Sequence, residues 1–420
     1  MTVLLYVGGI VLFLVGLLLS IAWHELGHFS TARMFGIKVT QFMVGFGRTV
    51  WSTRRGETEW GIKAIPLGGY IRMIGMFPTS GGAAAGRAGA GLTRMPSTAW
   101  DFAEPVEPGD ETKLFWTRAP WKRIIVMLAG PVMNLILAVV LFTVMLMGFG
   151  ALNPTTTVET VTQCVPQATS STTCPAGAPA SPAQAAGLRA GDTIVSFQGK
   201  RVSDWPSLQT EIKAAKGSQV QLEVKRDGRL VPLTARIGSI APAAGQAEVG
   251  FLGVSPTEAM VRQSPGAVVR QVGSYFGATV NAVAAIPERV PTIWGAAFEG
   301  KSRGVDSPVG VVGATRIGGQ VLSAHIPISA RIATLIGLLA SINMTLFLVN
   351  LLPLLPLDGG HIVGALWESI RRHVSRVLRR PDPGPVNVAK ALPLVYAVAA
   401  VLIGFTLLVA IADIVNPVRI

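Results

Sequence analysis

The chain has 420 residues, half of them hydrophobic and only 14% charged, with a net charge of +13. That balance fits a multi-span membrane protein and argues against a soluble one. The basic excess is not clustered among aromatic platforms, so nucleic acid is not the expected partner; anionic lipid and membrane topology account for the charge better.

Taken in order, the chain opens on an apolar run. Residues 3 to 22 carry no charge, which is close to the ~20 residues a membrane-spanning helix needs. A first span is expected over about 3 to 29. The run shows neither a basic leader nor a small-x-small cleavage site, so it is read as a span and not as a signal peptide. It leads directly into His24-Glu25-Leu26-Gly27-His28. Histidines four apart share one face of a helix, so both imidazoles can reach one ion, and the carboxylate of Glu25 stands where a base is needed. Charged groups at the edge of a hydrocarbon core are costly and usually functional.

Residues 37 to 74 alternate around a turn at Arg54-Arg55-Gly56 and predict a hairpin or small sheet. Gly45, Gly47, Gly68 and Gly69 suit close backbone approach. Residues 78 to 110 are rich in Gly, Ala and Pro, as a flexible loop would be. A second span is expected over about 124 to 149, behind the basic residues Arg118, Lys122 and Arg123. Asn134 within it reads first as a hydrogen-bonding residue between helices.

From 151 to 256 the pattern changes to short strands, a Ser/Thr/Pro/Ala-rich insertion holding Cys164 and Cys174, and AAGLRAGDTIVSFQGKRV. That segment resembles a PDZ domain, a module that binds extended chains at a sheet edge. Residues 274 to 298 suggest an amphipathic helix broken by Pro287 and Pro291. The stretch 307 to 320 looks too glycine-rich for a regular helix. A third span over about 332 to 355 ends in Asn350-Leu-Leu-Pro-Leu-Leu-Pro-Leu-Asp358-Gly-Gly-His361. Broken backbone at that depth requires burial in protein or a wet cavity. A basic loop and a fourth span, about 391 to 414, complete the chain.

The expected organisation is a polytopic α-helical membrane protein of about four transmembrane helices, with a membrane-associated β-hairpin and an inserted extracytoplasmic PDZ-like α+β domain. Its segments are a first span (1–30), a hairpin region (31–77), a flexible cytoplasmic loop (78–120), a second span (121–150) and the PDZ-like domain (151–256). An amphipathic linker (257–330), a third membrane segment (331–360), a cytoplasmic basic loop (361–390) and a fourth span (391–420) follow. Arginine and lysine beside the spans place the connections 31–123 and 361–390 in the cytoplasm, and hence the 151–330 block outside. On that oxidising side Cys164 and Cys174 are expected to pair, two free thiols being the alternative.

A catalytic zinc takes three protein ligands and leaves one position open. His24 and His28 supply two. Asp358 is the best candidate for the third, since a metal would neutralise an otherwise expensive carboxylate. His361 ranks behind it, and His325 and His373 lie in no motif. Two other classes compete with a protease: a metal-ion transporter, and a PDZ-bearing scaffold with a structural metal.

The pair of motifs, H24-E-L-G-H28 at the end of a first span and N350-x-x-P-x-x-P-x-D358-G, resembles the site-2 protease family of intramembrane zinc metalloproteases. GFG at 45 to 47, P66-LGGYIRM73 and the Gly130-Pro131 turn also fit, and the closest subgroup is the bacterial enzymes that cut anti-sigma factors. A single PDZ-like domain and the Ala/Pro/Gly bias suggest an actinobacterial member. The resemblance implies Zn²⁺ on His24, His28 and Asp358, Glu25 as general base, and Asn350 with the Gly45 and Gly47 region contacting substrate. It implies membrane-anchored protein substrates such as anti-sigma factors, trimmed first by another protease. It also implies residence in the bacterial cell membrane, with the active site near the cytoplasmic side.

Overall fold

The structure is a computed structural model that describes residues 2–76, 106–164, 179–240, 248–304, 307–385 and 392–418. It divides into two compact units, one of residues 1–148 with 264–420, the other of residues 149–263. The first unit holds α1 (Thr2–Met34), β1 (Val39–Arg55), β2 (Thr58–Met73) and α2 (Pro120–Thr143). The second holds β3 (Ala151–Val161), α3 (Pro182–Ala185), β4 (Thr193–Phe197), β5 (Lys200–Arg201), α4 (Trp205–Ala214), β6 (Gln219–Arg226), β7 (Arg229–Arg236), β8 (Gly238–Ile240), β9 (Val249–Phe251) and β10 (Val254–Val261). The first unit then resumes with α5 (Pro265–Ala284), α6 (Ile286–Phe298), α7 (Val311–Ser323), α8 (Ile328–Asn350), α9 (Asp358–Val377) and α10 (Leu392–Val415). Among the described residues, four helices are long and apolar enough to cross a membrane: α1, α2 with its continuation to Phe149, α8 and α10. In hydrocarbon every backbone polar group must be satisfied within the segment, and helices achieve this.

Glycines set how closely these helices pack. A Cβ on Gly27 of α1 would stand 2.6 Å from the Ala129 carbonyl oxygen of α2. One on Gly9 would stand 2.5 Å from the Gly318 carbonyl oxygen of α7. The stretch 307–320, expected to be irregular, therefore forms most of a regular helix. Its Gly318 and Gly319 cost helix propensity but let α7 lie directly on Phe13 and Tyr6 of α1. The amphipathic segment also differs from expectation. It starts at Pro265, and Pro291 lies inside α6 without ending it. Pro287 sits in the first turn of α6, where no backbone donor is needed.

The third span stops at Asn350, not near 355, and residues 351–357 form the turn that carries Pro353 and Pro356. The basic loop expected from 361 is instead largely helix, since α9 runs from Asp358 to Val377. Arg123 does not face lipid. It is buried on α2 with a guanidinium nitrogen 2.6 Å from Glu368 of α9, a carboxylate 1% exposed that Arg372 also reaches at 3.0 Å. A buried pair of this kind strongly disfavours loss of one partner, so it fixes α9 against α2. A second buried pair lies at the other end of the chain. Asp413 of α10 accepts from Arg303 and from the backbone N–H groups of Gly310 and Gly313, at the start of α7.

β1 and β2 double back on one another, so that residues 41–44 of β1 have β2 partners on both sides: Gln41 pairs with Arg72 and Glu59, Met43 with Tyr70 and Gly61. Gly45 and Gly47, at positive φ, allow the bend in β1. Of the loop expected over 78–120, residues 78–105 lie outside the described residues, and 106–118 is docked. There Leu114 and Phe115 are buried, and Lys38 is paired with Glu107 and Asp110.

The second unit is a sheet in the order β10-β3-β4-β6-β7, with β5 on β4, plus the β8-β9 pair. Alternate residues of β6 (Val220, Leu222, Val224) point into a core with Ile194, Phe197, Leu208 and Leu252. Asp204 caps α4 by accepting from the Ser207 N–H. In the Gly191-Asp192 turn, Arg226 donates twice to the Asp192 carboxylate and holds it below the usual carboxylate range. Cys164 is disulfide-bonded; the other cysteine of the sequence, Cys174, lies outside the described residues.

Candidate active site

The site assembles within the first unit from two segments far apart in sequence. On α1, His24 and His28 are one turn apart, and their Nε2 atoms lie 3.1 Å from each other. Asp358, first residue of α9, brings Oδ2 to 3.3 Å from each of those nitrogens. The turn at 351–357 makes this possible. Gly359 and Gly360 have no room for a Cβ, because the carbonyls of Leu351 and Leu352 and the backbone of Leu354 and Leu355 press on them. Larger residues would push the start of α9 out of place.

The surroundings define which ring atoms face inward. His28 Nδ1 is 2.7 Å from the Val126 carbonyl oxygen of α2. A carbonyl can only accept, so Nδ1 carries the proton and Nε2 offers a lone pair to the centre. His24 Nδ1 is 3.1 Å from the side-chain amide of Asn134, a residue 0% exposed. As placed, it is Nδ2 that faces the ring; exchanging the amide oxygen and nitrogen would bring Oδ1, which is buried without a partner, to accept the Nδ1 proton. His24 then also presents Nε2 as a lone pair. The sequence suggested only that Asn134 bridges helices; its partner 110 positions away was invisible there. Gly130 has a visible reason too, because a Cβ at that position would collide with His28 Nε2.

Three lone-pair atoms thus converge in a buried spot, and Asp358 Oδ2 has no hydrogen-bond donor. Such a cluster is repulsive unless a cation sits within it. Separations of 3.1 to 3.3 Å match the spacing of ligands around a tetrahedral zinc with bonds of roughly 2.0–2.1 Å. The residues present therefore fit Zn²⁺.

Glu25 is 8% exposed beside this cluster. β2 approaches it at Gly69, where a Cβ would lie 3.2 Å from the Glu25 Cγ and 2.8 Å from Ile21. The other expected site residues are placed differently. Asn350 closes α8 at the start of the turn that leads to Asp358, half-buried. Gly45 and Gly47 are in the bend of β1 against Ile65. None of these three belongs to the converging group; the sheet reaches Glu25 at Gly69 and at Ile71, whose backbone hydrogen-bonds the carboxylate. His361 sits on α9 one turn beyond Asp358 and is not one of the three converging residues.

A histidine pair in the HExxH pattern on a helix long and apolar enough to span a membrane, met by a carboxylate just after a second such helix, is the arrangement a membrane-embedded metalloprotease requires. Comparison with known proteins agrees. The model of peptidase family M50 matches residues 12–379. Zinc metalloprotease Rip1 of Mycobacterium tuberculosis is 35% identical over 99% of both chains, and Rip1 of Mycolicibacterium smegmatis is 36% identical over 98% of both. Metalloprotease MmpA of Caulobacter vibrioides is 29% identical over 84% of both. The chain belongs to peptidase family M50, the site-2 proteases, and is a zinc-dependent metalloendopeptidase of the membrane.

Proposed function

We propose that this enzyme cleaves the transmembrane segments of membrane-anchored regulators, of the anti-sigma type, with His24, His28 and Asp358 as the zinc ligands and Glu25 as general base. The observation that supports this most is the meeting of Asp358 with both histidines at the end of a helix that spans the membrane. Held by these residues, zinc would supply Lewis acidity for the scissile carbonyl and the attacking water. Glu25 takes the water proton and returns it to the leaving amine. Burial keeps the carboxylate in a water-poor setting, where its proton transfers are directed to the reacting atoms.

A helical substrate span hides its peptide bonds, so it must be extended before attack. The doubled β1–β2 sheet, close to Glu25 at Gly69, offers strand pairing for that purpose, with Gly45 and Gly47 giving the bend that lets the sheet double back and Asn350 a donor for substrate backbone. To test this, a membrane-anchored substrate is incubated with the purified full chain in detergent and the products are read by mass. Cleavage outside the hydrophobic segment would overturn the reading.

Asn134 enters as the residue that fixes the tautomer of His24. Asn134→Leu keeps the branching of the side chain, with bulkier ends, but removes the acceptor, and is expected to weaken zinc affinity by about 10–100-fold, the usual cost of losing an outer partner of a ligating histidine. Competition with a chromophoric chelator checks it, and unchanged affinity would remove Asn134 from this role.

The second unit is proposed to be a PDZ domain outside the cytoplasm that restrains access by size. Its support is the sequence resemblance, the sheet with two capped helices, and its position in the chain between the two halves of the metal site, with none of the ligands in it. Substrates with a bulky outer domain would then wait for another protease to trim them. Replacing residues 155–256 with a flexible linker is expected to permit cutting of untrimmed substrate. Intact untrimmed substrate beside cut trimmed substrate would refute the restraint. Placement is read separately: Ser203→Cys, in a background without Cys164 and Cys174, should react with an impermeant reagent on intact spheroplasts.

A further inference from the structure

We infer that α9 is an interfacial helix whose arginines bind the headgroups of anionic phospholipid. Val126 and Asn134 of α2 are level with His28 and His24, through their hydrogen bonds. Arg123, in the first turn of α2, is level with Glu368, through the ion pair. So α9 starts beside the metal ligands within the bilayer and reaches the end of α2 at Glu368. Everything after Glu368 therefore emerges at the membrane surface on the side where α2 begins.

The side chains divide around the helix axis in the same sense. Ala365 and Glu368 are buried against the protein. On the opposite face Val363, Leu366, Trp367, Ile370, Val374 and Val377 form a stripe at helical spacing, and all are exposed, Trp367 by 56%. No described element of the chain covers that stripe. Arg371 and Arg376 flank it, and Arg379 and Arg380 follow the last turn. Between residues 369 and 385 the only acid is Asp382, which lies 3.7 Å from Arg372. An apolar stripe edged with arginine and carrying a tryptophan is the pattern of a helix lying at the acyl–headgroup boundary. The unbalanced positive charge selects anionic headgroups over zwitterionic ones, and it opposes a second copy of this chain, which would bring the same arginines into contact. Each arginine engaged should enrich anionic lipid by roughly fivefold, corresponding to about 1 kcal/mol.

The test uses the full-length protein in nanodiscs of phosphatidylcholine with a fixed fraction of lipid brominated in its tails. That lipid is either phosphatidylcholine or phosphatidylglycerol. The signal of Trp367 is the difference between the protein and Trp367→Phe. Brominated tails are expected to quench Trp367, and phosphatidylglycerol to quench it severalfold more strongly than phosphatidylcholine. The excess should vanish at high salt, and in the combined variant Arg371→Gln, Arg376→Gln, Arg379→Gln, Arg380→Gln, with tail quenching kept. Equal quenching by the two lipids in the unmutated protein overturns the headgroup preference. No quenching by either overturns the placement and leaves the stripe to a second copy or to water.

Discussion

Glu25→Gln is expected to reduce peptide cleavage by about 10²–10⁴-fold, the range that a positioned general base supplies. Zinc content should remain at the level of the unmutated protein. The amide is nearly isosteric, so it fits the space between His24, His28 and Gly69 without moving either ligand. What it lacks is an oxygen able to accept and hold the water proton. The two readings separate cleanly: metal analysis on the purified protein reports the ligands, and turnover of a membrane-anchored substrate reports the base. Normal turnover in the glutamine variant would remove Glu25 from the mechanism and leave the metal site unaffected.

Asp358→Ala should act on both quantities. With the carboxylate gone, two neutral imidazoles remain and the charge that balances the ion is lost. Zinc should dissociate on dialysis against a weak chelator, and cleavage should fall with it. The affinity loss is expected to exceed the roughly 10–100-fold that removing an outer partner costs, so it should be larger than in Asn134→Leu. The variant should still fold, because α9 remains held by the Arg123–Glu368 pair. His361→Ala is expected to lose less of both, since His361 is not part of the converging group. Full zinc occupancy in Asp358→Ala would exclude that residue as a ligand.

Much of the membrane core could be read from the sequence, because hydrocarbon leaves few options. A long uncharged run must be a helix, and a histidine pair at helical spacing within it must share a face. What failed to read through has a common cause. Gly318 and Gly319 look like helix breakers until the facing Phe13 and Tyr6 are known; propensity speaks of the isolated segment, and packing decides. Likewise Arg371 to Arg380 read as a basic loop, because charge conceals an apolar stripe that appears only when residues are placed at 100° intervals. Arg123 reads as one of the basic residues ahead of the second span, and its buried partner lies more than two hundred residues away. Asn134, Asp413 and Arg303 belong to the same group of residues, whose roles rest on pairings between distant parts of the chain.

One property of α2 extends beyond the individual contacts. It donates no atom to the metal group, yet all three proposed ligands take their reference from it: His28 from the Val126 carbonyl, His24 from Asn134, and Asp358 through Arg123 and Glu368. Had each ligand been referenced to a different neighbour, thermal displacements of those neighbours would be independent and their variances would add in every ligand–ligand distance. With a single rigid datum the displacements are correlated. When α2 shifts, the three ligands shift together, and the separations that select the ion change little.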